Sequence, residues 1–404
     1  MLLVLIAGLT VLCVLGLTFR FPRPACTVWI LILETSPDSW LDNLIGGHEI
    51  IIGVMKALGL VLVISLAIAN GIRSDRYNPG FAFLFMYLIG LMHGLYPGLS
   101  LLASTRSLLG SAGPFLFSFV RLPPILIRGI QRAVLWGPLC TVGFGGLLAA
   151  TGLDHMYVFE QGALRLGASG EPPFLAGFAL IGVYAALIAC LDEARGLEAG
   201  FVLINLTIIL LTGARAPFAL GIGITIAALL SQRRLTLLAA LGACAAAAIM
   251  FAPALTFLRP VQLAELGEAA SLSNRNLVWP YFFNAAAASP VTGWGVGAGK
   301  IIIPVTSHLT SLIGTNAAHD EYLRIGAEGG TIGLALLISL IILWVWRGSA
   351  ALHAPQRRLM RLIFIAFAIH SATDNTLIAT TSSVFFIWVS AVFASAAERR
   401  RAPA

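Results

Sequence analysis

Apolar runs of about 20 residues recur along almost the whole chain, and that feature decides what it can fold into. A segment of that length and character crosses a bilayer as a helix, because in hydrocarbon its backbone N–H and C=O groups must be satisfied within the segment. The runs lie at 1–19, 50–69, 81–101, 111–127, 132–150, 173–191, 198–213, 216–231, 235–252, 327–346, 359–371 and 376–396. Another, at 24–34, is too short to cross alone. The expected fold is an all-α integral membrane protein, a bundle of about twelve transmembrane helices. One long hydrophilic loop, 252–326, is the exception. With 58% hydrophobic and only 11% charged residues, the chain lacks the charged surface of a soluble domain. It reads as a single transmembrane domain, 1–404: N-terminal helices 1–195, central helices 196–251, the loop, and C-terminal helices 327–404. The stretch 1–19 has no basic n-region and no A-x-A site, so it is expected to be a first helix and not a cleaved signal.

The +7 formal charge does not call for nucleic acid; the positive-inside rule and anionic headgroups account for it. Of 25 basic residues only Lys56 and Lys300 are lysines. Taking Arg233, Arg234, Arg347, Arg357, Arg358, Arg361 and the tail arginines 399–401 as cytoplasmic, alternation puts Arg20, Arg23, Arg73, Arg76, Arg121, Arg128, Arg132 and Arg195 on the same side. Lys56, Arg106, Arg165, Arg215, Arg259, Arg275, Lys300 and Arg324 then lie on the disfavoured, outer side. Cations kept there point to a function, and Arg suits bidentate phosphate binding. The plainer account is pairing with Glu265, Glu268, Asp320 and Glu321. The five cysteines sit in apolar runs without metal spacing and read as packing residues.

Four polar constellations face outward in this topology. Thr212-Gly213-Ala214-Arg215-Ala216-Pro217 turns between two helices and puts Arg215 beside a helix N-terminus, an anion site in waiting or a snorkelling cation. Arg275 precedes Trp279 and Tyr281, and then the alternation Gly293, Gly295, Gly297, Gly299 before Lys300. That spacing is not a nucleotide loop and no strand precedes it; a folded loop packed over a site is expected. Thr315 or Asn316 is expected to cap a helix on which His319, Tyr322 and Leu323 share a face. His319 there can serve as a general base or simply bond a carbonyl. Asp320 and Glu321 lack a second histidine at helical spacing, so no metal is expected. His370, Ser371, Thr373, Asp374 and Asn375 form the fourth cluster; Asp374 can orient His319, pair with an arginine, or make a plain Asx turn.

In this order and spacing the residues resemble the O-antigen ligase and O-antigen polymerase superfamily, membrane glycosyltransferases of the GT-C type. The resemblance covers roughly 195–395 and rests on Arg215, Arg275 with Trp279, Gly293–Gly297, His319–Leu323 and Gly330–Leu334. It implies that Arg215 and Arg275 hold the diphosphate of an undecaprenyl-diphosphate-linked glycan donor. It also implies that His319 acts on an acceptor hydroxyl, with no cofactor, no metal and inversion at the anomeric carbon. Arg165, Arg324, Asp374, Trp279 and Tyr322 are further candidate contacts. Asp320 stands where the family commonly has Asn, and Pro217 where a small residue is usual. A ligase acting on lipid A–core at the periplasmic face of a bacterial inner membrane is the leading expectation. A polymerase using the same donor and a lipid or glycan transporter are the alternatives. The sequence is silent on oligomeric state.

Overall fold

The computed structural model describes residues 15–160, 163–191, 196–231, 275–313 and 315–401. Among these, five helices are long and apolar enough to cross a membrane: Ile50–Asn70, Pro124–Ala150, Pro172–Cys190, Glu321–Ser349 and Thr380–Glu398. Gly80–His93, Glu198–Thr212 and Arg215–Ser231 are shorter apolar helices. The chain is thus a multi-pass helical membrane protein. The span expected at 235–252, most of the one at 1–19, residues 252–274 of the loop, and Arg195, Arg233, Arg234 and Arg259 lie outside the described residues.

Three expected boundaries move. The runs 111–127 and 132–150 are not two crossings. Pro123 and Pro124 break the chain, and Pro124 opens a single helix to Ala150, where a missing amide costs nothing. The preceding descent is Leu101–Ala112 continued by the 3-10 segment Gly113–Phe119. The loop expected to run to 326 ends earlier, because a helix starts at Glu321; it contains the helices Trp279–Ala288 and His308–Ile313. The all-α expectation needs one amendment: Tyr157–Glu160 and Ala163–Leu166 pair antiparallel, Tyr157 opposite Leu166. Its strands, Tyr-Val-Phe-Glu and Ala-Leu-Arg-Leu, lack a clean period-two alternation and so do not stand out among long hydrophobic runs.

The helices have two unlike ends. At one, Arg23 bonds the Asn70 side chain, Ile72 bridges Val120, and Trp344 Nε1 donates to Asp75. Here too Arg347 lies over the Tyr77 ring. Of the arginines read as cytoplasmic, Arg23, Arg73, Arg121, Arg347 and Arg361 make their contacts at this end. At the other, Ser169 reaches the Thr35 carbonyl, Arg165 the Thr212 carbonyl and Trp294 the Tyr96 amide. An aromatic core of Phe115, Trp344, Phe364, Phe385 and Phe386 packs edge-on or tilted between the ends.

Candidate functional site

The helix Glu321–Ser349 is built in two pieces. Gly330 leaves the helical region at φ 60, ψ −165, a conformation only glycine adopts readily. The loop 290–295 splints the gap. Ala327 and Glu328 carbonyls, orphaned where the first piece ends, accept from the Trp294 and Gly295 amides. The Thr331 and Ile332 amides opening the second piece donate to the Pro290 and Val291 carbonyls. Contact is backbone on backbone: a Cβ on Gly330 would lie 2.4 Å from the Val291 carbonyl carbon, and one on Gly293 2.4 Å from that of Glu328. The glycine alternation is therefore a packing device, as expected.

The first piece starts at an Asp320 cap whose carboxylate accepts from the Tyr322 and Leu323 amides at 2.9 and 3.1 Å. This corrects the expectation that Thr315 or Asn316 caps this helix. Asp320 out-competes them because its carboxylate meets the free amides and their positive end of the dipole. His319 consequently lies before the helix and not on a face shared with Tyr322 and Leu323. Its φ is +48, an uncommon value for a non-glycine residue. The carboxylate that touches the imidazole is Asp374: His319 Nδ1 lies 3.4 Å from Asp374 Oδ1, and Nε2 3.3 Å from Thr315 Oγ1. Asp374 also accepts from the Asn375 amide at 2.8 Å, and its other oxygen lies 3.8 Å from His370 Nε2. Asp374 therefore touches both histidines, and its backbone bond is to the very next residue and not the two-residue span of an Asx turn.

Burial pushes the Asp374 carboxyl up, but the His319 hydrogen bond and the His370 and His319 charges outweigh it and hold the group below the usual carboxylate value. Arg275 donates to the Thr373 carbonyl beside it. Burial draws the Arg275 guanidinium down, while Asp374 and Asp320 oppose that.

The remaining candidates separate into supports and outliers. Trp279 Nε1 donates to the Ala318 carbonyl at 3.1 Å and steadies the His319 approach. Tyr322 donates to the Ala368 carbonyl, and Glu321 accepts from the Leu377 amide, tying the helix start to the Asp374 loop. Arg324 is buried between Glu321 at 2.5 Å and Glu328 at 2.9 Å. The i,i+3 and i,i+4 spacing of the two glutamates was the sequence signal for this internal ion pair. Arg324 Nη2 still lacks a partner. Arg165 is buried, and its Nε donates to the Thr212 carbonyl at 2.8 Å. Arg215 heads its helix as expected, half-buried, with an unpartnered Nε. That helix packs on Ala354–Ser371, which carries His370 at its end.

His319, Asp374 and Arg324 line a cavity of about 580 Å³; Arg215 and Arg275 do not. Its lining mixes polar side chains, among them Asp38, Asp42, His48 and His319, with apolar ones, among them Trp29, Leu33, Ile52, Met55 and Leu60. Fold and site together define a multi-pass helical membrane protein with a histidine–carboxylate pair on the wall of an amphipathic cavity. Residues 200–338, less than half of the chain, match a family model described as O-antigen ligase. No curated protein matches the chain. The matched segment includes Arg215, Arg275, Trp279, His319, Tyr322 and Arg324; Arg165 and Asp374 fall outside it.

Proposed function

We propose that this protein is an O-antigen ligase of the bacterial inner membrane. It moves a glycan from undecaprenyl diphosphate to a hydroxyl of lipid A–core at the periplasmic face. The observation that carries the reading is the His319–Asp374 pair on a cavity lined by both polar and apolar side chains, as a sugar joined to a lipid requires. With Nδ1–H donating to Asp374, Nε2 is left as the proton acceptor. It takes the acceptor hydroxyl's proton as that oxygen attacks the anomeric carbon and the carbon–oxygen bond to the diphosphate breaks. Attack opposite the leaving group inverts the centre. Asp374 fixes the tautomer and balances the imidazolium charge. Arg215 and Arg275 are the family's implied diphosphate holders; Arg275 lies beside Asp374, and the unpartnered Arg215 Nε leaves that residue donor capacity.

A broken helix is also a device of transporters, whose half-helix ends face the cargo. Here the backbone groups at the Gly330 break bond to the loop 290–295, which favours the enzyme reading.

The test is transfer by purified protein from an undecaprenyl-diphosphate glycan to lipid A–core, with EDTA present. Wild type is expected to glycosylate lipid A–core. His319→Ala is expected to lose about 10²–10⁴-fold while keeping its melting temperature. Glycan lengthening on the carrier instead identifies a polymerase. No transfer to any acceptor overturns the enzyme reading.

A further inference from the structure

The chain reverses sharply after the helix Ala354–Ser371, and the reversal brings Asp374 back to His370. Thr373 closes the last turn, its amide and hydroxyl donating to the His370 carbonyl at 2.8 and 3.0 Å. Ser371 and Thr376 share a 2.6 Å bond across the loop. The Asp374 carboxylate thereby stands between two histidines. Oδ1 meets His319 Nδ1 and the Asn375 amide, while Oδ2 faces His370 Nε2 at 3.8 Å. That gap is too long for a hydrogen bond and within reach of one water bonded to both groups. Arg275, which holds the Thr373 carbonyl, is the other charge close to His370.

A second, smaller cavity of about 40 Å³ adjoins the carboxylate. Asp374 and Asn375 line both cavities, whereas His319 lines only the larger. The small one follows one face of the helix Pro172–Cys190, past Gly177, Leu180 and Ile181 to Tyr184. Phe174, Phe367 and Phe385 make much of the rest of its wall apolar. Yet three polar atoms of its lining residues are buried without a partner: His370 Nε2, Tyr184 Oη and Asn375 Oδ1. Tyr184 is 2% exposed and His370 9%. The neighbouring hydroxyls are engaged, Thr376 with Ser371 and Ser382 with the Ala379 carbonyl.

A buried polar atom without a bond is costly, and three on one small cavity call for a common partner. The volume is far below the few hundred Å³ of a pocket for a sugar or a lipid. At about 10–15 Å³ for each water it has room for about three. The donors and acceptors also balance. A water that accepts from His370 Nε2–H has two hydrogens left, one for Asp374 Oδ2 and one for Asn375 Oδ1. A further water along the helix face reaches the Tyr184 hydroxyl.

We propose that this cavity is a hydration site whose waters join Tyr184, His370 and Asn375 to Asp374 Oδ2, which makes His370 a positioning residue for His319. Donating through water to one carboxylate oxygen, His370 holds the other towards His319 Nδ1 and so favours the tautomer with Nε2 free. The role in turnover rests on the glycosyl-transfer reading; the hydration does not.

The experiment uses the full chain in detergent. Tyr184→Phe removes one hydroxyl and nothing else. A hydrated hydroxyl is a bonded one, so its loss is expected to lower the melting temperature by about 1–3 °C. An unchanged or raised melting temperature overturns the site, because it marks a hydroxyl that no water satisfies. The His319 tautomer is read from 15N spectra of histidine-labelled protein, with His319→Ala marking the signal. Wild type is expected to carry the proton on Nδ1. His370→Leu is expected to populate both tautomers and to lower kcat for glycan transfer about 10–100-fold, with KM changed less than about twofold. His370→Gln, whose amide donates to the same water, is expected to recover the wild-type tautomer and most of kcat. A His370→Leu protein with the wild-type tautomer and kcat overturns the positioning role, as does a His370→Gln protein no better than His370→Leu. If wild type transfers nothing while the Tyr184→Phe loss and the tautomer change persist, the hydration site stands and the ligase reading falls. If wild type transfers and neither change is seen, the ligase reading stands and the hydration site falls.

Discussion

The two ends of the bundle treat positive charge in opposite ways. At the arginine-rich end the guanidinium groups lie on aromatic faces, Arg361 3.7 Å from the Trp346 ring and Arg347 over Tyr77, or on neutral oxygens, as with Arg23 and the Asn70 amide and Arg73 and the Ser118 carbonyl. At the His319 end they also meet carboxylates, Arg324 with Glu321 and Glu328, beside the carbonyl partners of Arg275 and Arg165. The first arrangement suits anchorage at a membrane interface, where each cation can be exchanged at small cost. The second is a buried network in which each charge fixes its neighbour, and partial removal strands the remainder.

That contrast can be broken by mutation, beginning where the effect is largest. Arg324→Ala leaves Glu321 and Glu328 facing each other without their cation, and should cost about 3–5 kcal/mol in unfolding free energy. A loss under 1 kcal/mol would make the two ends equivalent. Gly330→Ala forces a Cβ into the Val291 backbone at a left-handed φ and should cost about 2–3 kcal/mol. Gly326→Ala, in the same helix with nothing within 4 Å, should leave the melting temperature unchanged or raise it.

A pH series sharpens the comparison at Asp374. Its folded value lies below the ordinary carboxyl value of about 3.9, so the ionised group contributes stability that is complete above that value. The contribution is lost as pH falls through the depressed one. The melting-temperature gap between wild type and Asp374→Asn should therefore hold steady from neutral pH to about pH 4 and close only below it. A gap that closes near pH 6 would assign the coupling to a histidine. The smallest effect belongs to the other end, where Arg361→Ala should cost only about 0.5–1 kcal/mol.

Local signals in the sequence reached parts of this site and missed others for identifiable reasons. The Arg215 turn was legible because Gly213 and Pro217 punctuate two apolar runs, and helices Pro172–Cys190 and Arg215–Ser231 follow their hydrophobic runs closely. His319 was legible by its motif, but its position outside the helix depended on which of three capping residues wins, a contest spacing does not decide. The approach of His319 to Asp374 spans 55 residues, and nothing local encodes it.

The joint at Gly330 has a consequence for the lipid around the protein. A continuous helix would carry His319 up or down with any tilt adopted to match bilayer thickness. Here the lower piece, from Thr331 onward, is the part whose length hydrocarbon can gauge, while the upper piece is held by the loop 290–295, the Asp320 cap and the Leu377 amide. Hydrophobic mismatch, at fractions of a kcal/mol per ångström, is then absorbed below the joint. The height of the histidine above the membrane is set by protein contacts and not by acyl-chain length.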